Sequence, residues 1–162
     1  MVLYQGKYRV SNPSKYKGDV DNIIYRSLWE AKCFSWCDKN PNVKSWSSEE
    51  TVIPYYYDID KKFHKYFIDL KIKMKDGKTI LVEIKPKKET QPPKPGKQGI
   101  KGRRYINESL TYVKNMNKWK AANNFAKDRG WQFQVWTEDT LAEMGIMQKW
   151  KKMKKLKPLK RL

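Results

Sequence analysis

Hydrophobic and polar positions alternate most clearly between Phe63 and Met74. The even positions are His64, Tyr66, Ile68, Leu70, Ile72 and Met74, and the odd ones are Phe63, Lys65, Phe67, Asp69, Lys71 and Lys73. Successive strand side chains point to opposite faces, so this period of two predicts one long strand with a mostly apolar and a mostly polar side. Asp76-Gly77 marks a turn. A second strand follows over Thr79 to Lys85. It carries Ile80, Val82 and Ile84 on one face and Thr79, Leu81, Glu83 and Lys85 on the other. Upstream, Val43 to Trp46 and Thr51 to Tyr57 also read as strands.

Elsewhere the period shifts to that of a helix. Tyr25, Leu28, Trp29, Cys33, Trp36 and Cys37 recur at helical spacing, which predicts a helix capped by Asp21 or Asn22 and ended by Asn40-Pro41. A second helix is expected from about Asn107 to Asp128, with Leu110, Val113, Trp119, Ala122, Phe125 and Ala126 inward and Gly130 at its C-terminal cap. Trp131 to Trp136 is a short strand. Thr137 caps a last helix, with Glu138 and Asp139 where the helix dipole favours anions. This order predicts an α/β domain, a central mixed sheet flanked by helices. Its parts are an irregular N-terminal arm over 1–20, the folded domain over 21–148 and a lysine-rich C-terminal tail over 149–162. Within the domain, residues 86–104 are rich in Pro, Gly and Lys without apolar periodicity, as in an exposed, extended loop.

Composition narrows the function. The 162 residues suit one domain, and 39% hydrophobic content with seven Trp and ten Tyr can build a core. The formal net charge of +19 repels itself in a compact fold, and a polyanion relieves that repulsion. Nucleic acid is the leading partner. No apolar run approaches the roughly 18 residues of a membrane span, and Met1 to Val10 lacks a signal-peptide core. A soluble, intracellular protein without a membrane partner is expected. Cys33 and Cys37 lie one helical turn apart, where a disulfide would be strained, so free buried thiols are expected. Zinc would need two further ligands, and the chain has one His and no other Cys. Gly96, Gly99 and Gly102 follow no strand and lack the spacing of a phosphate loop, which argues against a nucleotide.

The hairpin register is the informative step. A two-residue turn at Asp76-Gly77 would mix apolar with polar faces. A loop of Lys75, Asp76 and Gly77 pairs Ile68 with Ile84, Leu70 with Val82 and Ile72 with Ile80, and Gly77 suits its left-handed position. That register sets Asp69 across from Glu83, with Cβ atoms about 5 Å apart. At an effective dielectric near 20, carboxylates about 4 Å apart repel by roughly 4 kcal/mol. A hard divalent cation, Mg²⁺ or Mn²⁺, offsets that repulsion. Lys85 projects from the same face. A strand Asp followed by Glu-x-Lys supplies what phosphodiester hydrolysis needs: carboxylates for a metal that activates water, and an ammonium to position the water or stabilise charge. A lone Glu-x-Lys is usually just a polar strand face. The matched Asp69 and the basic loop after the strand turn the balance.

Phe67-Ile68-Asp69 followed by Val82-Glu83-Ile84-Lys85-Pro86 resembles the PD-(D/E)xK nuclease superfamily, with Ile68 where the signature has Pro. His64 to Asp69 and Arg26-Ser27-Leu28-Trp29-Glu30 are similar to the TnsA-like and phage-borne members, as are Trp131-Gln132-Phe133 and Thr137-Glu138. The resemblance implies a restriction-endonuclease-like core, with Asp69, Glu83 and Lys85 catalytic and Glu30 joining Asp69 and Glu83 as a metal ligand. Further pieces resemble the head completion nucleases of large contractile-tailed bacteriophages. These are Tyr16-Lys17-Gly18-Asp19, Ser48-Glu49-Glu50, Ile53-Pro54-Tyr55 and Gln91-Pro92-Pro93. The similarity covers most of residues 1–145. It implies exo- or endonucleolytic trimming of packaged double-stranded DNA at the portal, before head–tail joining. It also implies head, portal and neck proteins as partners, and action in the host cytoplasm during assembly. Retention in the virion at the head–tail junction is left open.

Other residues are weighed beside these. Glu30 could instead be a solvated partner of Arg26, one turn away. His64 falls on the apolar strand face, where a lone His is more often structural. Glu49 and Glu50 are expected exposed, and Asp58 and Asp60 belong to a turn. Lys87, Lys88, Lys94, Lys97, Lys101, Arg103 and Arg104 leave directly from the candidate site and are expected to contact DNA phosphates. Lys151, Lys152, Lys154, Lys155, Lys157, Lys160 and Arg161 suit either DNA or an acidic protein surface. No base-reading motif occurs, which predicts weak sequence preference. Two rival classes share the charge: a non-catalytic DNA-clamping adaptor of the head–neck junction, and an RNA-binding basic protein.

Overall fold

The computed structural model describes residues 3–148. The elements run β1 (Leu3–Lys7), β2 (Ile24–Ser27), α1 (Leu28–Lys39), β3 (Val43–Ser47), β4 (Val52–Tyr57), β5 (Lys62–Phe67), β6 (Leu70–Met74), β7 (Thr79–Ile84), α2 (Arg103–Asp128), β8 (Gln132–Trp136) and α3 (Glu138–Glu143). The central sheet has the order β3-β6-β7-β8. Its first two pairings are antiparallel, and β7–β8 is parallel. A parallel pair needs a crossover, and α2 supplies it.

Both faces of this sheet are covered. On one, Cys33, Phe34 and Cys37 of α1 and Leu141 of α3 pack with Trp46, Leu70, Ile72, Val82, Ile84 and Trp136. On the other, Ala122 and Ala126 of α2 pack with Leu81, and with Ile53, Tyr55, Tyr57, Tyr66 and Ile68 from the β4–β5 region. Because β7 is sandwiched, it is buried from Leu81 through Ile84, Glu83 included. Glu83 shares its strand parity with Leu81 and so belongs to the α2 side.

The hairpin has the expected register. Leu70 pairs with Val82 and Ile72 with Ile80. The Met74 N–H donates to the Lys78 carbonyl at 2.8 Å, enclosing Lys75, Asp76 and Gly77. Gly77 takes φ +92°, a conformation costly for other residues. The expected Ile68–Ile84 pair does not form, and the β6–β7 ladder stops at Leu70–Val82: Ile68 bonds Thr51 and Glu49 instead, and Ile84 pairs with Trp136 of β8.

Several expectations are corrected. The strand from Phe63 to Met74 is two strands. β5 pairs with β4 in a separate two-stranded sheet, and β6 joins the central one. At the break, the Ile68 N–H donates to Thr51 and its carbonyl accepts from Glu49, both at 3.0 Å. Tyr66, Ile68 and Leu70 all stay buried, so the period of two runs unbroken in the sequence, although Tyr66 and Ile68 pack on the α2 side and Leu70 on the α1 side.

The first helix starts at Leu28, capped by the Ser27 hydroxyl, which accepts from the Glu30 N–H at 3.2 Å. Asp21 and Asn22 only resemble a cap. Asp19 bonds the Asp21 N–H and the Asn22 amide in a polar turn. Leu28, expected inward, is 46% exposed.

Over its described residues, from Leu3, the arm forms regular structure rather than an irregular extension. β1 pairs with β2, and Pro13–Lys15 makes a 3-10 turn. The buried Asp38 carboxylate accepts from the Ser11 and Asn12 N–H groups at 2.6 and 3.0 Å, tying the arm to α1. The segment 86–104 is irregular apart from short turns, but α2 begins at Arg103 and takes Arg103 and Arg104 into its first turn. The tail over 149–162 lies outside the described residues.

Candidate active site

Asp69 sits at the break between β5 and β6, where the chain changes sheets. Its Oδ2 accepts from the Ile84 N–H at 2.8 Å, which fixes the carboxylate against the end of β7. Glu83, one residue before Ile84, is 5% exposed and accepts from the Tyr66 hydroxyl. The Lys85 ammonium lies 3.5 Å from Glu83 Oε1 and is partly buried. Glu30 enters from the first turn of α1. Its Oε2 accepts from the Arg26 N–H at 2.7 Å.

The electrostatics tie these groups together. Burial pushes the Asp69 carboxyl well above the usual carboxylate range. The Glu83 and Glu30 charges add to the shift, and the Ile84 N–H and Lys85 oppose it. Burial also raises Glu30, helped by the charges of Glu49 and Glu83 and opposed by the Arg26 N–H. Cys33 lies beside this cluster, its thiol raised by burial first and then by Asp69 and Glu30. Burial first, and the neighbouring carboxylates second, disfavour the charged forms of Asp69 and Glu30.

The three sequence-predicted carboxylates thus lie near enough at one end of the central sheet for their charges to act on one another, and Lys85 borders Glu83. Among the described residues, however, no three His, Cys, Asp or Glu side chains form a ready metal cluster. Each carboxylate is engaged internally: Asp69 on Ile84, Glu83 on Tyr66 and Lys85, and Glu30 on Arg26. The donor chemistry still fits a hard cation, because the three are oxygen ligands whose burial and mutual repulsion a cation relieves.

The remaining candidates separate clearly. His64 contacts Asp60 at 2.6 Å and stacks on Tyr55, so its role is structural. Glu49, expected exposed, is half-buried and binds the Arg26 guanidinium through two hydrogen bonds, at 2.8 and 3.1 Å. Glu50 is exposed and accepts from the Tyr16 hydroxyl and the Asp19 N–H. Gly18 passes so close to Glu50 that an added Cβ would lie 2.3 Å from its carboxylate. The Tyr16–Asp19 and Ser48–Glu50 motifs therefore form a clasp. The basic residues Lys87, Lys88, Lys94, Lys97, Lys101, Arg103 and Arg104 are all exposed. Lys87 is paired with Asp139 and Arg104 with Glu108, each at 2.8 Å.

Sequence reasoning missed two residues. Tyr66 was assigned only to an apolar face, yet its hydroxyl holds Glu83. Lys118 of α2 is half-buried, with its ammonium 5.3 Å from the centre of the Tyr66 ring. Burial lowers its pKa, and the nearby Glu83 carboxylate partly opposes that effect. Lys118 lies at helical spacing between the buried Asn115 and Ala122, and this was the available signal.

A buried Asp and a Glu-x-Lys strand at the end of a mixed sheet, with a helix Glu facing them, define the class. The chain belongs to the TnsA-like endonuclease N-terminal family, which it matches over residues 40–138. Within that class it is similar to the protein named head completion nuclease of Enterobacteria phage T4. The two are 46% identical over 147 residues, covering 90% of this chain and 98% of the relative. The mixed sheet flanked by helices is consistent with this family's fold. No solved structure matches the chain.

Proposed function

We propose that the chain is a divalent-metal-dependent DNA nuclease acting in phage head completion. The observation that carries this reading is the gathering of Asp69, Glu83 and Glu30 with Lys85 at one end of the sheet, where burial and mutual repulsion raise the Asp69 and Glu30 carboxyls. Family membership and the T4 relative's name support nuclease action and the head-completion role.

Asp69, Glu83 and Glu30 would hold Mg²⁺ or Mn²⁺. A bound ion supplies Lewis-acid stabilisation of the phosphate and lowers the pKa of water. Lys85 stands beside Glu83 to orient the attacking water or balance charge on the phosphate oxygens. Tyr66 fixes one oxygen of Glu83, and the Ile84 N–H fixes one oxygen of Asp69. These bonds limit where the carboxylates can turn. Lys87, Lys88, Lys94, Lys97, Lys101, Arg103 and Arg104 would grip the backbone of double-stranded DNA without reading bases. In the biological setting the substrate is packaged DNA at the portal, cut in the infected cell before tails join. Head and neck proteins are the partners.

The test is Mg²⁺-dependent cleavage of duplex DNA by the native chain and by Asp69→Ala. Cleavage that needs the ion and disappears in the variant, with DNA binding retained, supports the nuclease. Equal cleavage by both, or none by either, points to a basic adaptor that clamps DNA at the head–neck junction. One observation favours that second reading: every site carboxylate already has an internal partner.

A further inference from the structure

Lys118 is a half-buried ammonium with no acidic partner among the described residues. Among the described residues, its ammonium makes no salt bridge and no hydrogen bond, although Glu83 and Asp69 are near enough for their charges to act on it. It lies over two aromatic faces, 5.3 Å from the Tyr66 ring centre and 5.8 Å from that of Tyr55. One turn earlier, the Lys114 ammonium lies 5.0 Å from the centre of Tyr57. Four residues of helix separate the two lysines by about 6 Å along the axis. They form a short row on α2 above the inward tyrosines of β4 and β5.

Lysine seldom leaves water without a partner. Ring faces offset part of that cost, but they accept no hydrogen bond from three N–H donors in the way an oxyanion does. Lys118 is therefore held over ring faces, and among the described residues no side chain or backbone group accepts from its three donors. Its position is informative, because Tyr66 carries the lysine on its ring and holds Glu83 with its hydroxyl. An anion bound by Lys118 would lie beside the carboxylates proposed to hold the metal. The partner that suits a fixed cation there, on a chain of net charge +19, is a phosphodiester.

We propose that Lys118 is a phosphate-binding residue of the site, gripping the backbone of the strand being cut, with Lys114 holding a neighbouring phosphate of the same strand. This rests on the nuclease reading above. It gives the substrate a second wall: the basic loop approaches from the β7 end, and α2 closes on the strand from the tyrosine side. Lys85 serves the reacting phosphate, and Lys118 fixes where that phosphate lies.

The experiment compares the native chain with Lys118→Met, Lys118→Arg and the exposed control Lys120→Met. Binding of a short duplex is measured in EDTA across a salt series. Single-turnover cleavage is measured in Mg²⁺ at saturating DNA. Thermal melting is followed for all variants. Lys118→Met should melt no lower than native and lose about 0.9 from the log–log salt slope, the share of one phosphate contact. Its saturated cleavage rate should fall by about 10²- to 10³-fold, as for loss of one stabilising donor. Lys118→Arg should recover the salt slope, and Lys120→Met should leave slope and rate unchanged. If Lys118→Met matches native in both slope and rate, the inference is overturned. A low melting temperature with native slope and rate makes Lys118 a structural brace and overturns it equally. If the Met variant fails to fold, Lys118→Gln is read by the same criteria. Asp69→Ala run alongside separates the two readings. Native-like cutting by that variant removes the nuclease site, while the salt slope still decides whether Lys118 binds phosphate.

Discussion

The Ile84 N–H donates to Asp69 Oδ2 at 2.8 Å, so the residue after Glu83 holds the carboxylate that faces Glu83. This bond clamps two like charges together across the sheet break. Asn at position 69 keeps an oxygen for the same N–H and removes the charge. Asp69→Asn should therefore stabilise the metal-free protein by about 1 kcal/mol, the scale of an opposed like-charge pair. For a chain of this size that is about 2–4 °C in melting temperature. The same variant should lose cleavage by at least about 10²-fold. A thermal melt in EDTA beside a cleavage assay measures both. A fall in melting temperature would show that the carboxylate contributes more to the fold than to the site.

The raised Asp69 and Glu30 carboxyls also fix the sign of the pH dependence. Both groups bind protons more tightly folded than unfolded. Their contribution favours the fold at low pH and is lost as pH rises from the unfolded carboxylate range, about 4, through the raised folded values. A bound divalent cation reverses that loss, because it binds the charged form. Mg²⁺ should therefore raise the melting temperature more at pH 8 than at pH 5. At a concentration one hundred times its Kd, the gain is about 2.7 kcal/mol. Melts at the two pH values, with Mg²⁺ and with EDTA, give the comparison. Asp69→Asn provides the baseline that removes other carboxylates from the difference. An equal Mg²⁺ effect at both pH values would detach the metal from these groups.

The candidate cluster was legible in the sequence because its signals are local. Hairpin parity placed Asp69 with Glu83 and Lys85, and the Asp76-Gly77 turn fixed the register. The break at Ile68 was hidden. A chain that leaves one sheet for another can keep its buried residues at every second position, even though Tyr66 and Ile68 pack into one core and Leu70 and Ile72 into the other. The start of α1 was hidden for a related reason. Asp19, Asp21 and Asn22 have cap chemistry but use it in a turn, while the working cap, Ser27, follows a strand that pairs with residues far earlier in the chain. Helical spacing marks Lys118 as partly inward, but its meeting with Tyr66 comes from helix-on-sheet packing between segments remote in sequence.

Glu49 binds Arg26 in a fork, and the Arg26 N–H holds Glu30, so a chain of three residues positions the helix carboxylate. Glu49 also adopts φ +56°, a left-handed conformation that ordinary residues seldom take. Glu49→Gln keeps the shape and removes the charge that secures the fork. The expected result is a rise of about tenfold or more in the Mg²⁺ concentration needed for half-maximal cleavage, the usual cost of losing an outer partner of a metal ligand. The rate at saturating Mg²⁺ should stay near native. A titration of rate against Mg²⁺ separates the two effects. A drop in the saturated rate with no shift in Mg²⁺ requirement would place Glu49 in some other role.

The basic residues after β7 differ in how free they are, and this difference can be measured. The Lys87 ammonium is paired with Asp139, and its N–H donates to Glu138, so it pins the start of the loop to α3. The Arg104 guanidinium is paired with Glu108 inside α2. Lys88, Lys94, Lys97, Lys101 and Arg103 are exposed, and among the described residues none forms a salt bridge. A cation already paired gives up that partner to meet a phosphate, whereas a free one releases only water and counterions. Changing Lys88, Lys94, Lys97, Lys101 or Arg103 to Gln should therefore lower the log–log salt slope of duplex binding by about 0.9 for each residue that touches a phosphate. Lys87→Gln and Arg104→Gln should change it less. Affinity should fall to the same extent on unrelated sequences, because phosphate contacts carry no base information. Anisotropy titrations of single variants across a salt series, on two unrelated duplexes, test the ranking. A larger loss from Lys87 than from Lys94 or Lys97 would mean that DNA lies along α3 rather than along the loop.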